Sequence, residues 1–521
     1  MAPAVVWFRR DLRTDDHPAL AEAAALGGRD GVVALFVVDP VTLRGCGPNR
    51  RRFFAECLGS LDRDLGGVLV VRHGKPEVAV AALAAEVDAA SVVVTADFGP
   101  YGRRRDERVA ASLGAAGRRL VRVGSPYAAP PGTVRGAQGQ PLRVFGPFFR
   151  SWSAVADREP VPVPALRPHR FGDAGSTGDA GGTGDGRSAG DGRSAVGTLD
   201  DRVARGVVGA ACGAAAGTGL VGGHLGALLD PPSAMPDWWE GLPTGPATVL
   251  PAAGAAAAHR RLERFIDAVL ERYGSDRDVP AAEATSRLSP DLHAGTIHPR
   301  SVLQRLDAAT HRLGVGPGPD RFAAELAWRE LYADVLWHHP ASAWEPLTPA
   351  GERLRFDTGA TARDRFAAWA TGTTGFPLVD AGMRQLLAEG WMHNRVRMVT
   401  ASFLVKDLHL DWRWGARWFL WHLVDGDLAS NNHGWQWVAG TGTDAAPFHR
   451  VFNPALQQER FDPDGSYVRR YLPEAGGFGY PAPIVDHRAE RLEALRRWDE
   501  ARMAAVSDRA PGAGCGGQPA Q

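Results

Sequence analysis

One stretch of the chain, Gly390–Pro447, concentrates the residue types that could hold a flat ligand with polar edges. It contains an acidic turn (Asp425-Gly426-Asp427), an amide pair (Asn431-Asn432) and the closely spaced arginines Arg395 and Arg397. Six of the chain's 16 tryptophans fall between residues 412 and 437. Indole rings bury readily, whereas the polar groups among them need partners once buried. A planar ligand stacked among the rings would meet both requirements.

Three of these tryptophans have a simpler explanation. Trp414, Trp418 and Trp421 follow the i, i+4, i+7 spacing of one helix face, so we expect them to pack in a helical core. The acidic turn, the amide pair and Trp435-Gln436-Trp437 do not follow that spacing. The ligand hypothesis therefore rests on those three groups.

A second cluster is the hydroxyl- and arginine-rich segment Thr285-Ser286-Arg287-Leu288-Ser289-Pro290, which lies between predicted helices. Hydroxyls together with backbone N–H groups at a helix start can cradle a phosphate. An ordinary helix cap explains the same residues. The segment alone favours the cap.

Glu325 and Trp328 form a third candidate pair. They are three residues apart in a segment with helical periodicity, so they share one helix face. A carboxylate beside an indole offers a polar edge next to a stacking plane. A surface glutamate beside a core tryptophan is the alternative, and the pair alone favours that alternative.

Composition limits the kind of protein that carries these clusters. The 521 residues predict two or three domains, and no apolar run is long enough to cross a bilayer, so we expect no membrane contact. The net charge is zero, so any nucleic-acid site must be a local patch. The four cysteines lack CxxC spacing, which indicates a reduced, cytoplasmic protein without a metal site.

Residues 1–130 alternate β-branched runs with helical segments, which predicts a parallel sheet covered on both faces. The predicted strands are Val5–Phe8, Val32–Val38, Val68–Val71, Val92–Thr95 and Leu120–Val123. Such sheets bind ligands at the carboxyl ends of their strands. Arg9-Arg10-Asp11 and Asp97 to Gly102 occupy those ends.

The rest of the chain divides by composition. Residues 131–250 are predicted to be an interdomain linker with a short helical piece at Phe145–Trp152 and a low-complexity Gly/Ala-rich insertion from Gly172 onward. Residues 251–485 have the periodicity of an all-helical domain, and residues 486–521 are predicted to form a C-terminal tail. The predicted fold class is α/β plus all-α.

Three segments closely resemble the flavin domain of the photolyase/cryptochrome family. They are Trp391-Met392-His393-Asn394-Arg395, Asp425 to Asn432 and Thr441 to Pro447. The nearest similarity is to class I cyclobutane pyrimidine dimer photolyases. Val5 to Asp16 and Phe98 to Asp106 resemble the antenna domain of the same family. The resemblance implies a Rossmann-like α/β antenna domain followed by a helical FAD-binding catalytic domain.

The resemblance implies FAD as cofactor, reduced and anionic when active. The positions that match the family's FAD site are Tyr273, Thr285, Ser286, Arg287, Leu288, Ser289, Arg397, Asp425, Gly426, Asp427 and Asn431. Arg397 and Asp425 match an ion pair beside the flavin ring. Asn431 matches the residue that faces flavin N5, where an amide can accept a hydrogen bond from N5–H.

The resemblance also implies a pocket for a pyrimidine dimer flipped out of damaged DNA. The implied pocket residues are Glu325, Trp328, Asn394, Met398 and Trp437. Among them, Glu325 hydrogen-bonds the lesion, and Trp328 and Trp437 are its aromatic walls. The predicted phosphate contacts are Arg329, Arg395 and Arg450, so binding should weaken with salt.

The implied electron path and antenna depart in part from the family pattern. Trp435 and Trp412 match the inner and middle members of the family's tryptophan chain, and the outer member is assigned to the Phe356 region or to Trp344. His433 replaces a usual glycine, and it is either a loop residue or a contact to the flavin edge.

The predicted antenna residues are Arg9, Asp11, Arg50, Asp97 and Gly102, which favour 8-hydroxy-5-deazaflavin over methenyltetrahydrofolate.

The function implied is light-driven repair of cyclobutane pyrimidine dimers by a monomeric enzyme. A cryptochrome-like blue-light photoreceptor without repair activity is the alternative, and Asn431 together with the dimer-pocket residues argues against it. An enzyme for (6-4) photoproducts would carry a histidine where Asn394 stands. A dark flavin oxidoreductase has no nicotinamide motif in its favour.

Overall fold

The computed structural model describes residues 2–169, 236–313, 316–443 and 450–507. Its N-terminal part is a five-stranded parallel sheet with strand order β3-β2-β1-β4-β5. The strands are β1 (Ala4–Phe8), β2 (Val32–Val38), β3 (Val70–His73), β4 (Ser91–Thr95) and β5 (Arg119–Val123). The five predicted strands are confirmed, with ends shifted by about two residues or fewer.

Helices cover both faces of this sheet, as the continuous apolar strands predict. Alternate residues of β1 enter different cores: Val6 and Phe8 belong to one cluster, and Val5 and Trp7 to the other. The covering helices are α1 (Pro18–Gly27), α2 (Pro40–Arg44), α3 (Pro48–Asp64), α4 (Pro76–Glu86) and α5 (Pro100–Ala115).

The linker contributes a helix, α6 (Phe145–Val155), which confirms the short helical piece expected there. Phe148 and Trp152 are fully buried, and α6 packs against a long helix of the C-terminal part. The Gly/Ala-rich insertion lies outside the described residues.

The C-terminal part is helical throughout the described ranges. Its α-helices are α7 (Ala255–Ala268), α8 (Tyr273–Asp276), α9 (Ser289–Ala294), α10 (Pro299–Leu313), α11 (Pro317–His338), α12 (Pro349–Arg353), α13 (Ala360–Thr371), α14 (Pro377–Glu389), α15 (Asn394–Ser402), α16 (Trp412–His422), α17 (Leu428–Ala439), α18 (Pro454–Phe461), α19 (Ser466–Tyr471) and α20 (His487–Ser507). A π-helical turn at Phe403–Asp407 extends α15. In the ranges described, no helix combines the length and apolar character that a membrane span needs.

Proline and glycine set several helix ends as the sequence predicts. Pro377 lies in the first turn of α14, and Gly390, with φ +60°, ends it in the left-handed conformation. The core prediction for the α16 face also holds, since Trp418 and Trp421 are buried and Trp414 packs beside them.

The segment predicted as a C-terminal tail, residues 486–521, contains helix α20. Glu490 accepts a hydrogen bond from His409 at 2.7 Å, and Arg497 pairs with Asp357 at 2.8 Å. This hydrogen bond and this ion pair hold α20 against the rest of the helical part.

Candidate active site

The acidic turn between α16 and α17 is the polar centre of the helical part. Asp427 caps α17, because its Oδ1 accepts from the backbone N–H of Ser430 at 3.0 Å. Asp425 Oδ2 accepts from Arg397 Nη2 at 2.9 Å and from Ser289 Oγ at 2.6 Å. The turn thereby brings together the acidic cluster, α15 and the hydroxyl segment, three regions distant in sequence.

One oxygen of this turn lacks a hydrogen-bond partner. Asp425 Oδ1 is buried and has no donor among the described residues. A buried carboxylate oxygen without a donor is costly, so Asp425 Oδ1 calls for a donor that the described residues do not supply, such as a bound ligand. Asn431 Nδ2 donates to Ala416 O at 3.1 Å and to Asn432 Oδ1 at 2.8 Å, which leaves the amide oxygen to accept. Two acceptors of this kind fit the ring N–H groups of FAD.

The hydroxyl segment has features of a helix start and of a ligand loop. Ser286 Oγ accepts from Leu288 N at 3.3 Å, as in an ordinary turn, and Leu288 is buried in the core. Arg287 has a φ of +50° and pairs with Glu389 at 3.0 Å. Thr285 and Ser286 keep accessible surface. The link from Ser289 to Asp425 ties this segment to the acidic turn, so the phosphate-cradle prediction is compatible with the fold.

Tyr273 lies deeper than its predicted role suggests. It packs edge-on against Phe265 and Phe322, with ring centroids at 5.3 and 5.5 Å. Burial raises the pKa of its hydroxyl above the usual value, with Glu325 adding to the effect. Its contact with a cofactor stays a prediction.

The five predicted substrate residues lie on three helices that meet. Glu325 and Trp328 are on α11, Asn394 and Met398 on α15, and Trp437 on α17. Helix α17 packs against both α11 and α15. All five side chains keep accessible surface, unlike the core tryptophans. The arrangement offers indole planes, one carboxylate and one amide around an accessible region.

Two successive residues after α8 tether the helices of this region. Arg277 donates to Glu325 Oε1 at 2.5 Å, and Asp278 accepts from Arg395 at 2.9 Å. Because Arg277 and Asp278 are adjacent in the chain, they fix α11 relative to the start of α15. Neither residue was predicted to belong to the site, since nothing in their spacing links them to residues 48 and 117 positions away.

A linker residue also belongs to this site. The ring of Phe145 in α6 stacks on Trp328 with centroids 4.0 Å apart and planes at 2°. The sequence analysis predicted the helix but assigned Phe145 no role. A contact between a linker helix and α11 has no local signal in the sequence.

The three predicted phosphate contacts differ in their surroundings. Arg329 donates to the carbonyl oxygens of Pro126 and Leu292 at 3.3 and 3.1 Å. It is therefore bound within the junction between the two parts of the protein, which argues against a DNA contact. Arg450 is exposed, with its guanidinium carbon 5.8 Å from the ring centroid of Trp437.

The predicted electron-path tryptophans are buried. Trp435 contacts the rings of Phe419 and Trp369 at 5.0 and 6.0 Å, and a Cβ on Gly415 would collide with its indole. Trp412 stacks on Trp344, with centroids 6.4 Å apart and planes at 14°. Since Trp344 is only half-buried, this stack supports Trp344 rather than the Phe356 region as the outer member.

His433 is a core residue and not a loop histidine. It lies within α17, where its ring nitrogens are 2.9 Å from Ser342 Oγ and 2.8 Å from Ala429 O. Its ring stacks on Tyr332 at 5.7 Å. Burial lowers the pKa of His433 to about 4, so the imidazole is neutral at pH 7.

The predicted antenna residues at the sheet edge bind one another. Arg9 Nη1 lies 2.6 Å from Asp106 Oδ1. Asp11 accepts from the N–H of Arg9 and from Thr95 Oγ1. Asp97 accepts from Arg105 at 3.1 Å, and a Cβ on Gly102 would collide with its carboxylate. The charged edge of the sheet exists as predicted, but its charged side chains pair with one another and with neighbouring residues.

The remaining predicted residues lie where the sheet meets the helical part. Arg50 donates to the carbonyl oxygen of Gly426, and Arg10 donates to Asp427 Oδ2 at 3.2 Å. Arg50, Gly426 and Asp427 thus join the two parts of the protein. For Gly426 and Asp427, a direct cofactor contact stays a prediction, and their observed role is to position α17.

Two family models match the chain. The model described as DNA photolyase covers residues 4–166, and the FAD binding domain of DNA photolyase covers residues 322–478. Among known proteins, the chain is 37% identical over 528 residues to the deoxyribodipyrimidine photo-lyase of Streptomyces griseus, covering 96% of this chain and 99% of that one.

Solved structures give the same answer. The fold is similar to that of a bacterial class III photolyase from Agrobacterium tumefaciens, with TM-score 0.76, 32% identity and coverage of 96% and 98% of the two chains. It is also similar to an archaeal photolyase from Sulfolobus tokodaii that holds two FAD molecules, with TM-score 0.71, 26% identity and coverage of 95% and 99%. The chain belongs to the DNA photolyase family.

Proposed function

We propose that this protein repairs cyclobutane pyrimidine dimers in DNA by light-driven electron transfer from reduced FAD. The observation that carries the proposal is the proximity of two unlike regions. At the start of α17 lies an acidic turn with a carboxylate oxygen that has no donor among the described residues. The accessible substrate residues lie where α17 meets α11 and α15. One region suits a buried cofactor and the other suits an incoming lesion.

The cofactor side is built by Asp425, Arg397 and Ser289. Arg397 is oriented by two bonds, one to Asp425 and one from Nε to Met392 O at 2.7 Å. These groups would hold the flavin ring, and Asn431 would accept from its N5–H. When bound, FAD would supply the light-driven electron that opens the dimer, since the photochemistry belongs to the cofactor.

The substrate side is built by Trp328, Trp437 and Glu325. Two indole planes can sandwich an extruded pyrimidine pair, and a carboxylate can accept from its N–H groups. Arg277 donates to Glu325 Oε1, which would fix the carboxylate before the lesion arrives. Arg395 and Arg450 would contact the DNA phosphates that flank the lesion.

The antenna pigment remains a separate prediction, with 8-hydroxy-5-deazaflavin preferred to methenyltetrahydrofolate. Its candidate residues Arg9, Asp11 and Asp97 are engaged with each other and with neighbours. A pigment at this edge would have to use surfaces beside those pairs rather than the charges themselves.

The test is repair of a single-stranded oligonucleotide that carries one thymine dimer. Reduced, FAD-loaded protein is mixed with the oligonucleotide in the dark and under near-UV or blue light, and the dimer is quantified. Loss of the dimer in the light alone supports the proposal. Bound flavin with no repair in either condition would instead favour the photoreceptor alternative.

A further inference from the structure

Trp328 is covered on one side by a ring from the linker. Phe145, in α6, stacks on the indole with centroids 4.0 Å apart and planes only 2° from parallel. Both residues keep accessible surface, so this stack lies at the edge of the core rather than inside it. Tyr332, one turn further along α11, contacts the indole at a tilt of 42° and not face to face.

The stack continues into the protein. Phe145 stacks on Phe149 at 5.6 Å and 12°, and Phe149 on Trp152 at 6.0 Å and 21°. Together with Trp328 these residues form a column of four nearly parallel rings. Offset parallel stacking of this kind is a favourable arrangement for aromatic pairs.

The inner end of the column is fixed by a buried hydrogen-bond network. Trp152 is fully buried and donates from Nε1 to Glu330 Oε2 at 2.6 Å. Glu330 also accepts from the N–H groups of Ala128 and Ala129 at 2.7 and 2.8 Å. Since Glu330 and Trp328 are both on α11, the same helix anchors the column and carries its outer ring.

We propose that Phe145 is a positioning residue for lesion recognition, holding the indole of Trp328 so that a flipped-out pyrimidine dimer stacks on its other face. The inference rests on the proposed function. A long side chain at a surface loses rotamer freedom when a ligand orders it, and a preformed stack removes part of that cost. The linker helix α6 is therefore part of the substrate pocket, although it lies outside the helical domain in sequence.

If Phe145 instead blocked the pocket, removing it would change dimer affinity in the opposite direction. A ring that occupied the lesion's own place would have to leave before binding, so its removal would tighten binding. The anchored column favours support over occupancy, because α6 carries three of its rings and is fixed through Trp152.

The experiment compares FAD-loaded wild type with Phe145→Ala, Phe145→Leu and Phe145→Tyr in the dark. Affinity is measured for a single-stranded oligonucleotide with one thymine dimer and for the same undamaged sequence. We expect the Ala and Leu variants to bind the dimer about tenfold more weakly, the scale of one aromatic stacking pair. Affinity for undamaged DNA and flavin content should not change, and Tyr should restore binding.

Phe478→Ala is the matched control, since Phe478 is fully exposed on a loop. Unchanged or tighter dimer binding by the Phe145→Leu variant would overturn the inference. An equal loss on damaged and undamaged DNA, or a loss of flavin, would make Phe145 merely structural. Wild-type protein that does not distinguish the two oligonucleotides would overturn the proposed function itself.

Discussion

Two clusters of carboxylates, one at the carboxyl edge of the N-terminal sheet and one at the turn between α16 and α17, differ in how the fold uses their oxygens. At the sheet edge, both oxygens of Asp11, Asp97 and Asp106 accept hydrogen bonds from neighbouring groups. At the turn, Asp425 uses Oδ2 twice, while Oδ1 has no donor in the described ranges.

The difference lies in how many hydrogen-bond sites the fold itself fills. A carboxylate offers about four lone-pair positions, and burial penalises those left empty. The sheet edge is a completed network whose contribution is to stability. At the turn, Asp425 Oδ1 remains available to accept a hydrogen bond, as a site for a cofactor with N–H groups requires.

The largest effect should come from removing one carboxylate in each place. Asp425→Ala leaves Arg397 without its acid, and Asp106→Ala leaves Arg9 without its close acid and Arg105 with Asp97 alone. Breaking a buried pair costs about 3–5 kcal/mol. We expect Asp106→Ala to lower unfolding free energy by about that amount while folded protein keeps its flavin.

Asp425→Ala should act instead on the cofactor. We expect the flavin content of the folded protein, measured from the flavin absorbance, to fall at least about tenfold, as expected from the loss of charge-assisted bonds. Normal flavin content in this variant, or flavin loss in Asp106→Ala, would break the distinction between the two clusters.

Periodic features of the fold could be predicted from the sequence. Alternation and helical spacing predicted the sheet, and the face formed by Trp414, Trp418 and Trp421 predicted a core. Residue types could not show whether a charge is satisfied, because Arg329 looks the same in sequence whether it meets carbonyls or phosphates. The carbonyls it meets belong to Pro126 and Leu292, which only the tertiary fold brings near.

The same limit explains the missed parts of the pocket. Phe145 contacts Trp328, although the two residues are 183 positions apart in the sequence. The tail residues Glu490 and Arg497 are helical and bound because they meet His409 and Asp357. Contacts of this kind depend on packing between helices, and the helix propensity of a local segment does not predict them.

The two regions should also lose stability in different pH windows. Burial lowers the pKa of His433, beside the helical site, to about 4. Stability therefore falls as the pH drops from 6.5 to 4, because the unfolded chain takes up a proton there while the folded imidazole stays neutral. That shift corresponds to about 3 kcal/mol. At the sheet edge burial acts to raise the pKa of Asp97, but Arg10 and Arg105 lower it to about 2. The corresponding loss is about 2 kcal/mol and occurs below pH 4.

Denaturant unfolding at several pH values separates the two windows. His433→Gln should lose less stability than wild type between pH 6.5 and 4, because it cannot take up the proton. Asp97→Asn should be less stable than wild type by about 2 kcal/mol above pH 4, and the gap should close below it. If the unfolding free energy of a variant ran parallel to that of wild type across the pH range, the replaced residue would not be the source of the predicted pH dependence.

A smaller effect should follow from Glu325→Ala in the accessible region. A hydrogen bond to a charged group contributes about 1.5–3 kcal/mol, so we expect dimer affinity to fall by roughly tenfold or more and the repair yield per photon to fall. Flavin content should not change. Glu283→Ala is the matched control, since this exposed glutamate pairs with Arg470 at the surface and such pairs contribute about 0–1 kcal/mol. Unchanged repair yield in Glu325→Ala would remove Glu325 from the mechanism.

The smallest effect distinguishes an arginine on the accessible surface from one bound inside the junction. Each phosphate contact to a single strand contributes about 0.7 to the slope of log K against log salt. We expect Arg450→Ala to reduce that slope by about this amount at every sequence tested. Arg329→Ala should leave the slope unchanged and lower the melting temperature, because its guanidinium bonds to Pro126 and Leu292 are internal. A reduced slope in Arg329→Ala would mean that the junction opens to DNA, and the contrast between the buried Arg329 and the exposed Arg450 would then hold only for the free protein.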